Sequence, residues 1–463
     1  MDAPTVILDH IPNFTNVYFN FVADQRFALL DSFQLESGVI LNDVTVAYKT
    51  WGKLNANRDN CLIICHALSG SSDIEDWWGP LLGIGKAFDL SRYFIFCANV
   101  LGSPYGTTSS LSLNPATGRI YGPDFPQTTI RDDVRYVLGT HEPANFLLIY
   151  CHSLHQLVLD ALNVASIAAV VGGSMGGMAT LEWPLCTPSG YVKNIVPIST
   201  SVDHDAWGIS WAEAQRQCIF ADPAFENGYY LPTPTTQPSS GLSAARMVGM
   251  LTYRSSPSFS SRFGRASANK DHLQKSKMKP QPPTTEIRIG SDDLADRRPV
   301  QVPKFTAQSY LQYHGQKFVK RFDANCFIHL TRKMDHHDIT RDRVEGDLAA
   351  RIIVSRNAIL RKVLHSVPTK ALVVGIASDV LFTPEQQEVL VNTLPDASLV
   401  MIPSPEGHDG FLLEFEILGP LIEDHLKERC SWIYDCPPLV LERSVKEVKE
   451  VKDSVFGEVE SGW

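Results

Sequence analysis

Six strand-length runs along the chain are almost wholly apolar: Cys61–Cys65, Tyr93–Ala98, Ile167–Val171, Ile195–Ile198, Leu372–Ile376 and Leu399–Ile402. A strand with one wet face alternates apolar and polar residues. Runs without alternation therefore predict a parallel sheet covered by helices on both faces, an α/β fold. Gly38 to Trp51 does alternate, which predicts a hairpin at the sheet edge. Residues 1–34 carry no strong pattern and read as an N-terminal arm. Helical periodicity marks Ala206–Phe220, Gly241–Thr252, Ser309–Phe318 and Asp342–Leu364. More than 170 residues separate the Ile195 and Leu372 runs, far beyond a simple crossover. The expected organisation is a core in two parts, 35–200 and 341–440, with 201–340 as a helical lid over the sheet edge that carries the Ile167 strand. Polar, proline-bearing 266–302 reads as a disordered loop within that lid, and 441–463 as a charged tail.

Composition narrows the class without choosing a function. With 44% apolar and 20% charged residues the chain is an ordinary soluble protein. Its net charge of −10 argues against general affinity for nucleic acid or anionic membrane, because a negative protein releases no counterions from either. The nine cysteines are scattered with no CxxC pair, which predicts reduced thiols in a cytoplasmic protein. Met1-Asp-Ala-Pro shows no signal-peptide pattern, and no apolar run approaches the roughly 18 residues of a membrane span.

The chemistry begins where the Ile167 run breaks into Gly172-Gly-Ser-Met-Gly-Gly-Met178. Gly172-x-Ser174-x-Gly176 is the nucleophile-elbow pattern, a sharp strand-to-helix turn that holds a serine hydroxyl at the top of a parallel sheet. Side chains at the flanking positions would collide with the neighbouring strand or helix, and the serine itself is strained. A glycine-rich turn closing an ordinary strand has the same five letters, so partners must be sought elsewhere. In serine enzymes built on such sheets the acid and then the histidine follow the nucleophile, in loops after late strands. Asp379 follows the Leu372–Ile376 run, and His408 follows the run ending at Ile402, within Pro405-Glu-Gly-His-Asp-Gly410. Alone, an aspartate after a strand is most often a helix cap and a loop histidine is merely solvated. With the elbow, and in this order, they make Ser174 the nucleophile, His408 the base and Asp379 its orienting acid. The loop after Cys65, His66-Ala-Leu-Ser-Gly70, is placed to help form an oxyanion hole from the backbone N–H groups of Leu68 and Met175. Losing one such donor typically costs about 10²–10³ in rate. His66 reads as an anchor for that loop.

Competing motifs fail. Gly83-x-Gly85-Lys86 lacks the spacing and the Ser/Thr of a phosphate-binding loop. Asp335-His-His-Asp338 lacks the HExxH spacing and an outer ligand set, so no metal is expected. A triad alone does not separate a transferase from an esterase-type hydrolase. The large lid is the one hint, since a deep, narrow site keeps water from an acyl-enzyme.

The chain resembles the homoserine O-acetyltransferase family, its fungal members in particular, from about Leu35 to the C-terminus. The likeness rests on Cys65-His-Ala-Leu-Ser-Gly70, Asp76-Trp-Trp-Gly-Pro-Leu-Leu82, Asn99-Val-Leu-Gly-Ser-Pro-Tyr-Gly106, Thr129-Ile-Arg-Asp-Asp133, Gly172–Met178, Glu213-Ala-Gln-Arg-Gln217, Arg321-Phe-Asp-Ala-Asn325 and Pro405–Asp409. The resemblance implies an α/β-hydrolase fold with a helical lid, and transfer of an acetyl group from acetyl-CoA to the hydroxyl of L-homoserine by a ping-pong acyl-serine route in methionine biosynthesis. It implies acetyl-CoA as a co-substrate with no permanently bound cofactor, and a homodimer. It further implies that Arg246, Tyr253 and Asp409 bind the amino acid. A guanidinium suits a carboxylate and a carboxylate suits an ammonium; the less favoured alternative for Arg246 is one half of a surface ion pair. Serine or another hydroxyl compound is the alternative acceptor.

Two stretches depart from the family pattern. Where relatives carry Ser-Ala-Arg-His-Ser-Ala-Trp, this chain has Ser201-Val-Asp-His-Asp-Ala-Trp207, which places Asp203 and Asp205 near the lid entrance and bears on acceptor preference. Between Arg135 and Leu157 the chain has an excess of about eighteen residues. Tyr136–Gln156 includes Gly139 and Pro143, and an interior proline costs a helix about 3 kcal/mol. The segment reads as a translated intron, or else as a surface loop splitting the helix.

Overall fold

A computed structural model describes residues 6–9, 16–138, 158–266, 305–344, 355–440 and 454–455. Among the described residues, nine strands make the main sheet: β1 (Val6–Leu8), β2 (Arg26–Gln34), β3 (Ile40–Trp51), β4 (Cys61–Cys65), β5 (Phe94–Ala98), β6 (Ile167–Gly173), β7 (Ile195–Ile198), β8 (Leu372–Ile376) and β9 (Ser398–Ile402). Their order across the sheet is β1-β2-β3-β5-β4-β6-β7-β8-β9. The first three strands pair antiparallel, as does β3 with β5. From β5 to β9 every pairing is parallel. The non-alternating runs are buried on both faces for the reason the sequence predicts, except at the edge strand β9, where Leu399, Val400 and Met401 are only partly buried. Ile63, Phe96, Val170 and Val373 pack into one apolar cluster, while Leu62, Ile95, Val171 and Val374 pack into another.

Among the described residues, the helices of eight residues or more are α1 (Ile130–Leu138), α2 (Met175–Leu185), α3 (Ala206–Phe220), α4 (Ser239–Tyr253), α5 (Ser256–Phe263), α6 (Thr306–Arg321), α7 (Ala324–Asp335), α8 (Arg356–Leu364), α9 (Pro384–Thr393) and α10 (Phe415–Arg429). Helices α3 to α7 all lie between β7 and β8 in sequence. The chain runs from β4 to β5 on one side of β4 and returns to β6 on its other side. The order therefore reverses at the β4–β6 pair, the place where open α/β sheets form their crevice.

The N-terminal arm expected over residues 1–34 is corrected by the structure. Arg26–Gln34 is a full strand with Phe27, Ala28, Leu30 and Phe33 buried. Asp31, Ser32 and Gln34 interrupt its apolar pattern and hide it from a search for periodicity. The hairpin anticipated within Gly38–Trp51 is accordingly formed by one long strand, β3, with β2 before it. The turn between them needs Gly38 at φ 83. Of the periodic stretch Asp342–Leu364, Arg356–Leu364 is helical, whereas Asp342 sits in a turn at φ 57. The readings of 136–156 and 266–302 lie outside the described residues, apart from 136–138, which continue α1, and Ala266. Within the tail, Ser454 and Val455 donate to the Asp76 carboxylate at 2.6 and 2.9 Å, and Lys317 on α6 donates to the Ser454 carbonyl at 2.9 Å.

One buried ion pair ties α7 to the core. Lys333 Nζ lies 2.7 and 2.6 Å from the two Asp133 oxygens and donates to the Leu101 carbonyl at 2.8 Å, while the Leu101 N–H donates to Asp133 at 2.9 Å. Burial raises the Asp133 carboxyl and lowers the Lys333 ammonium, and each charge opposes the other's shift. Removing one partner strands a charge away from water. Lys333→Met is expected to destabilise the fold by about 3–5 kcal/mol, read as a lower urea midpoint. Adding Asp133→Leu should recover part of that loss, leaving the Leu101 N–H without its Asp133 acceptor and the Leu101 carbonyl without its Lys333 donor. A double variant as unstable as the sum of the singles would show that the two charges do not support each other.

Candidate active site

Ser174 stands between β6 and α2 at φ 59, ψ −125, a strained conformation worth about 1–3 kcal/mol. The glycines around it serve close approach. A Cβ on Gly176 would stand 2.1 Å from the Cys65 carbonyl oxygen of β4, and one on Gly172 would stand 2.4 Å from the Gly176 oxygen. The start of α2 is thus pressed against the end of β4. The Ser174 N–H donates to the Ile198 carbonyl at 3.0 Å, and the Ser174 carbonyl accepts from Thr200 Oγ1 at 2.8 Å, which pins the elbow to the neighbouring strand β7.

Asp379 and His408 meet beyond the ends of β8 and β9. His408 Nδ1 is 2.8 Å from Asp379 Oδ2, while Asp379 Oδ1 accepts the N–H groups of Leu381 and Phe382 at 2.8 and 3.0 Å. Both side chains are buried. Burial lowers the His408 pKa, but the Asp379 charge and hydrogen bond outweigh it, with Asp409 adding to them, so the imidazole titrates above its ordinary value. Its Nδ1 committed to Asp379, the ring keeps Nε2 for the cleft, which Ser174 also lines. Aromatic rings enclose it: Phe382, Phe411 and Tyr253 have centroids 5.2, 5.3 and 6.2 Å away.

The cleft spans about 810 Å³, with the open solvent at its mouth included. Leu68 lines it from the 66–70 loop, whereas Met175 lines a separate cavity with Ile64, Val134 and Trp183. As the first residue of α2, Met175 has no N–H acceptor within its own helix. His66 holds the loop. Its Nε2 accepts the Val100 N–H at 3.2 Å, so Nδ1 carries the proton and donates to the Ala67 carbonyl at 2.8 Å. Burial lowers its pKa to about 4, in keeping with a neutral ring. From the lid, Arg321 Nη1 donates to the Ser69 carbonyl at 2.9 Å.

All three residues expected to bind an amino acid line this cleft. The Arg246 guanidinium, on α4 and buried, lies 5.3 Å from the Tyr253 ring centroid and 5.0 Å from that of Phe318. Asp409 Oδ2 lies 3.0 Å from Arg254 Nε. Arg254 also pairs with Glu406, Ser255 Oγ donates to the Pro405 carbonyl, and Ser258 Oγ donates to Glu406 at 2.8 Å. A Cβ on Gly407, at φ 70, would stand 2.6 Å from the Ser255 nitrogen. The end of the lid helix pair therefore clasps the histidine loop, a contact that the sequence reading missed because Arg254 bears no motif of its own. His204, Trp211 and Gln215 on the α3 side also line the cleft and were not singled out.

Asp203 and Asp205 do not line it. Asp203 pairs with Arg356, and Asp205 caps α3 through the Gly208 N–H at 2.9 Å. Asp335 is 2.7 Å from Arg216 and 3.2 Å from His204, and Asp338 Oδ1 accepts from Thr340 at 2.7 and 2.8 Å. Among the described residues no three His, Cys, Asp or Glu side chains gather to hold a metal, and no helix is long and apolar enough to cross a membrane.

Residues 60–415 match the α/β hydrolase fold family. A homoserine O-acetyltransferase of Cryptococcus neoformans var. grubii is 43% identical over 529 aligned positions, which cover 96% of this chain and 97% of the relative. Among solved structures, homoserine O-acetyltransferase from Bacillus anthracis superposes with a TM-score of 0.65 at 21% identity, covering 88% of this chain and 98% of that one. Esterase E22 gives 0.66 at 22% identity over 87% and 99%. At those identities the two structures establish the fold, and the fold hosts both transferase and esterase. The sequence likeness decides the family: this chain is an enzyme of the homoserine O-acetyltransferase family, built on the α/β-hydrolase fold.

Proposed function

We propose that the enzyme transfers an acetyl group from acetyl-CoA to the hydroxyl of L-homoserine through an acetyl-serine intermediate. The observation that supports this best is the company the triad keeps: Ser174 and His408 share one cleft with a buried guanidinium, Arg246, and a buried carboxylate, Asp409. An acceptor carrying both a carboxylate and an ammonium is complementary to that pair, whereas a simple alcohol or water offers neither charge.

In the first half-reaction His408 Nε2 takes the Ser174 Oγ proton as Oγ attacks the thioester carbonyl. The negative charge that develops on the carbonyl oxygen falls to the N–H groups of Leu68 and Met175. Collapse breaks the C–S bond, and the imidazolium returns the proton to the departing CoA sulfur. In the second half-reaction the same Nε2 takes the homoserine hydroxyl proton. The alkoxide attacks the acetyl-serine, and collapse frees O-acetylhomoserine while Ser174 regains its proton. Asp379 keeps Nδ1 protonated throughout and stabilises each imidazolium. Arg246 holds the acceptor's carboxylate with Tyr253 against it, and Asp409 takes the ammonium. No bound cofactor enters either step.

CoA release followed with a thiol reagent tests the reading, with homoserine, with serine and with no acceptor. Release that requires homoserine supports it. Equal release in all three tubes would make the protein a thioester hydrolase, and a preference for serine would reassign the acceptor.

A further inference from the structure

The wall of the cleft holds a buried acceptor that the mechanism above does not use. Gln215 on α3 is 5% exposed and lines the cleft. Its Nε2 donates to the Trp211 carbonyl at 3.1 Å, and because a carbonyl only accepts, this bond fixes which way the amide faces. Among the described residues Gln215 Oε1 is then left without a hydrogen-bond partner. It lies 3.2 Å from where a Cβ on Gly249 would stand, and the Tyr253 ring is at the same distance from that point. Arg246, Gly249 and Tyr253 follow one another at helical spacing along one face of α4. The oxygen therefore sits against the turn that follows Arg246.

We propose that Gln215 is a specificity-determining residue whose Oε1 accepts a hydrogen bond from the ammonium of the amino-acid acceptor. The inference rests on the acyl transfer to homoserine proposed above. A carboxylate held by Arg246 carries its ammonium on the next carbon, within reach of the adjacent turn of α4. Asp409 Oδ2 is already engaged with Arg254 at 3.0 Å, so a second acceptor helps to satisfy the three N–H donors of the ammonium. Burying an acceptor without a partner is costly, and a site that contains one discriminates against any alcohol lacking the matching donor. Gln215 thereby selects for amino acids as well as binding them.

The test compares homoserine with 4-hydroxybutyrate, which keeps the hydroxyl chain and the carboxylate but lacks the amine, in wild type, Gln215→Met and Gln215→Glu. The burst of p-nitrophenol from p-nitrophenyl acetate reports folding and acylation without any acceptor. In Gln215→Met, kcat/KM for homoserine is expected to fall about 10–100-fold, chiefly through KM, with 4-hydroxybutyrate and the burst within about twofold of wild type. Gln215→Glu, which keeps an acceptor at the same place, should retain the preference for the amine. Equal losses with both acceptors in the Met variant would overturn the inference, as would an unchanged preference there. Loss of the preference in the Glu variant would overturn it independently, even if the Met variant failed to fold. A wild-type enzyme that did not prefer homoserine would instead overturn the acceptor reading, and this inference with it, in an arm that involves no variant.

Discussion

Ser174→Ala is expected to reduce homoserine-dependent CoA release by on the order of 10⁶-fold, the scale of loss when the nucleophile of a serine triad is removed. The substitution is a clean one here. Alanine keeps the Cβ, so the backbone at φ 59, ψ −125 is no more and no less strained than with serine, and the close packing of Gly172 and Gly176 is untouched. Arg246, Tyr253 and Asp409 stay in place, so homoserine should still raise the melting temperature of the variant by mass action. A protein that binds the acceptor yet forms no acetyl-enzyme, checked as a missing mass increment after incubation with acetyl-CoA, is the expected outcome. Should release fall by less than tenfold, the acetyl group would have to pass directly from CoA to the acceptor, and the two-step route would be wrong.

Much of this site was legible because its parts obey local rules. The elbow is legible since the sterics of a strand-to-helix turn leave glycine as the residue at its flanks; a Cβ at Gly176 would meet the β4 carbonyl at 2.1 Å. The strands β4 to β8 are legible since burial on both faces removes polar residues from them, while the edge strand β9 keeps its apolar run although Leu399, Val400 and Met401 are only partly buried. Arg26–Gln34 was not, because Asp31, Ser32 and Gln34 break its apolar pattern where the strand has one exposed side. Helix α7 was missed for a related reason: His329, Arg332 and Lys333 make its sequence look wet, yet Lys333 is fully buried against Asp133. Gln215 shows the limit most clearly. An amide on a helix reads as a solvated face, and only three-dimensional packing reveals that one of its atoms is buried without a partner among the described residues. Patterns of residue type report burial on average; they do not report which polar atoms find partners.

Asp379→Asn is expected to lower turnover by about 10⁴-fold without removing any catalytic atom, for a reason that the geometry makes specific. Asp379 Oδ1 accepts two backbone N–H groups, from Leu381 at 2.8 Å and Phe382 at 3.0 Å. An asparagine must present its carbonyl oxygen to those donors, which turns its NH₂ toward His408. That NH₂ donates to Nδ1, so the imidazole proton moves to Nε2, and the nitrogen that should take the Ser174 proton already holds one. The same substitution removes the largest influence raising the His408 pKa, leaving burial to lower it and only Asp409 to oppose it. Since the base must be neutral, the wild-type kcat/KM should fall as pH drops through a midpoint above the ordinary histidine value of about 6.5. In the variant the acid limb of the residual activity should move to lower pH. A 10⁴-fold loss with the limb unmoved would mean that Asp379 positions the ring without setting its charge. A shifted limb with turnover nearly intact would mean that the proton on Nδ1 is not what the reaction requires, and the role assigned to the pair would have to be withdrawn.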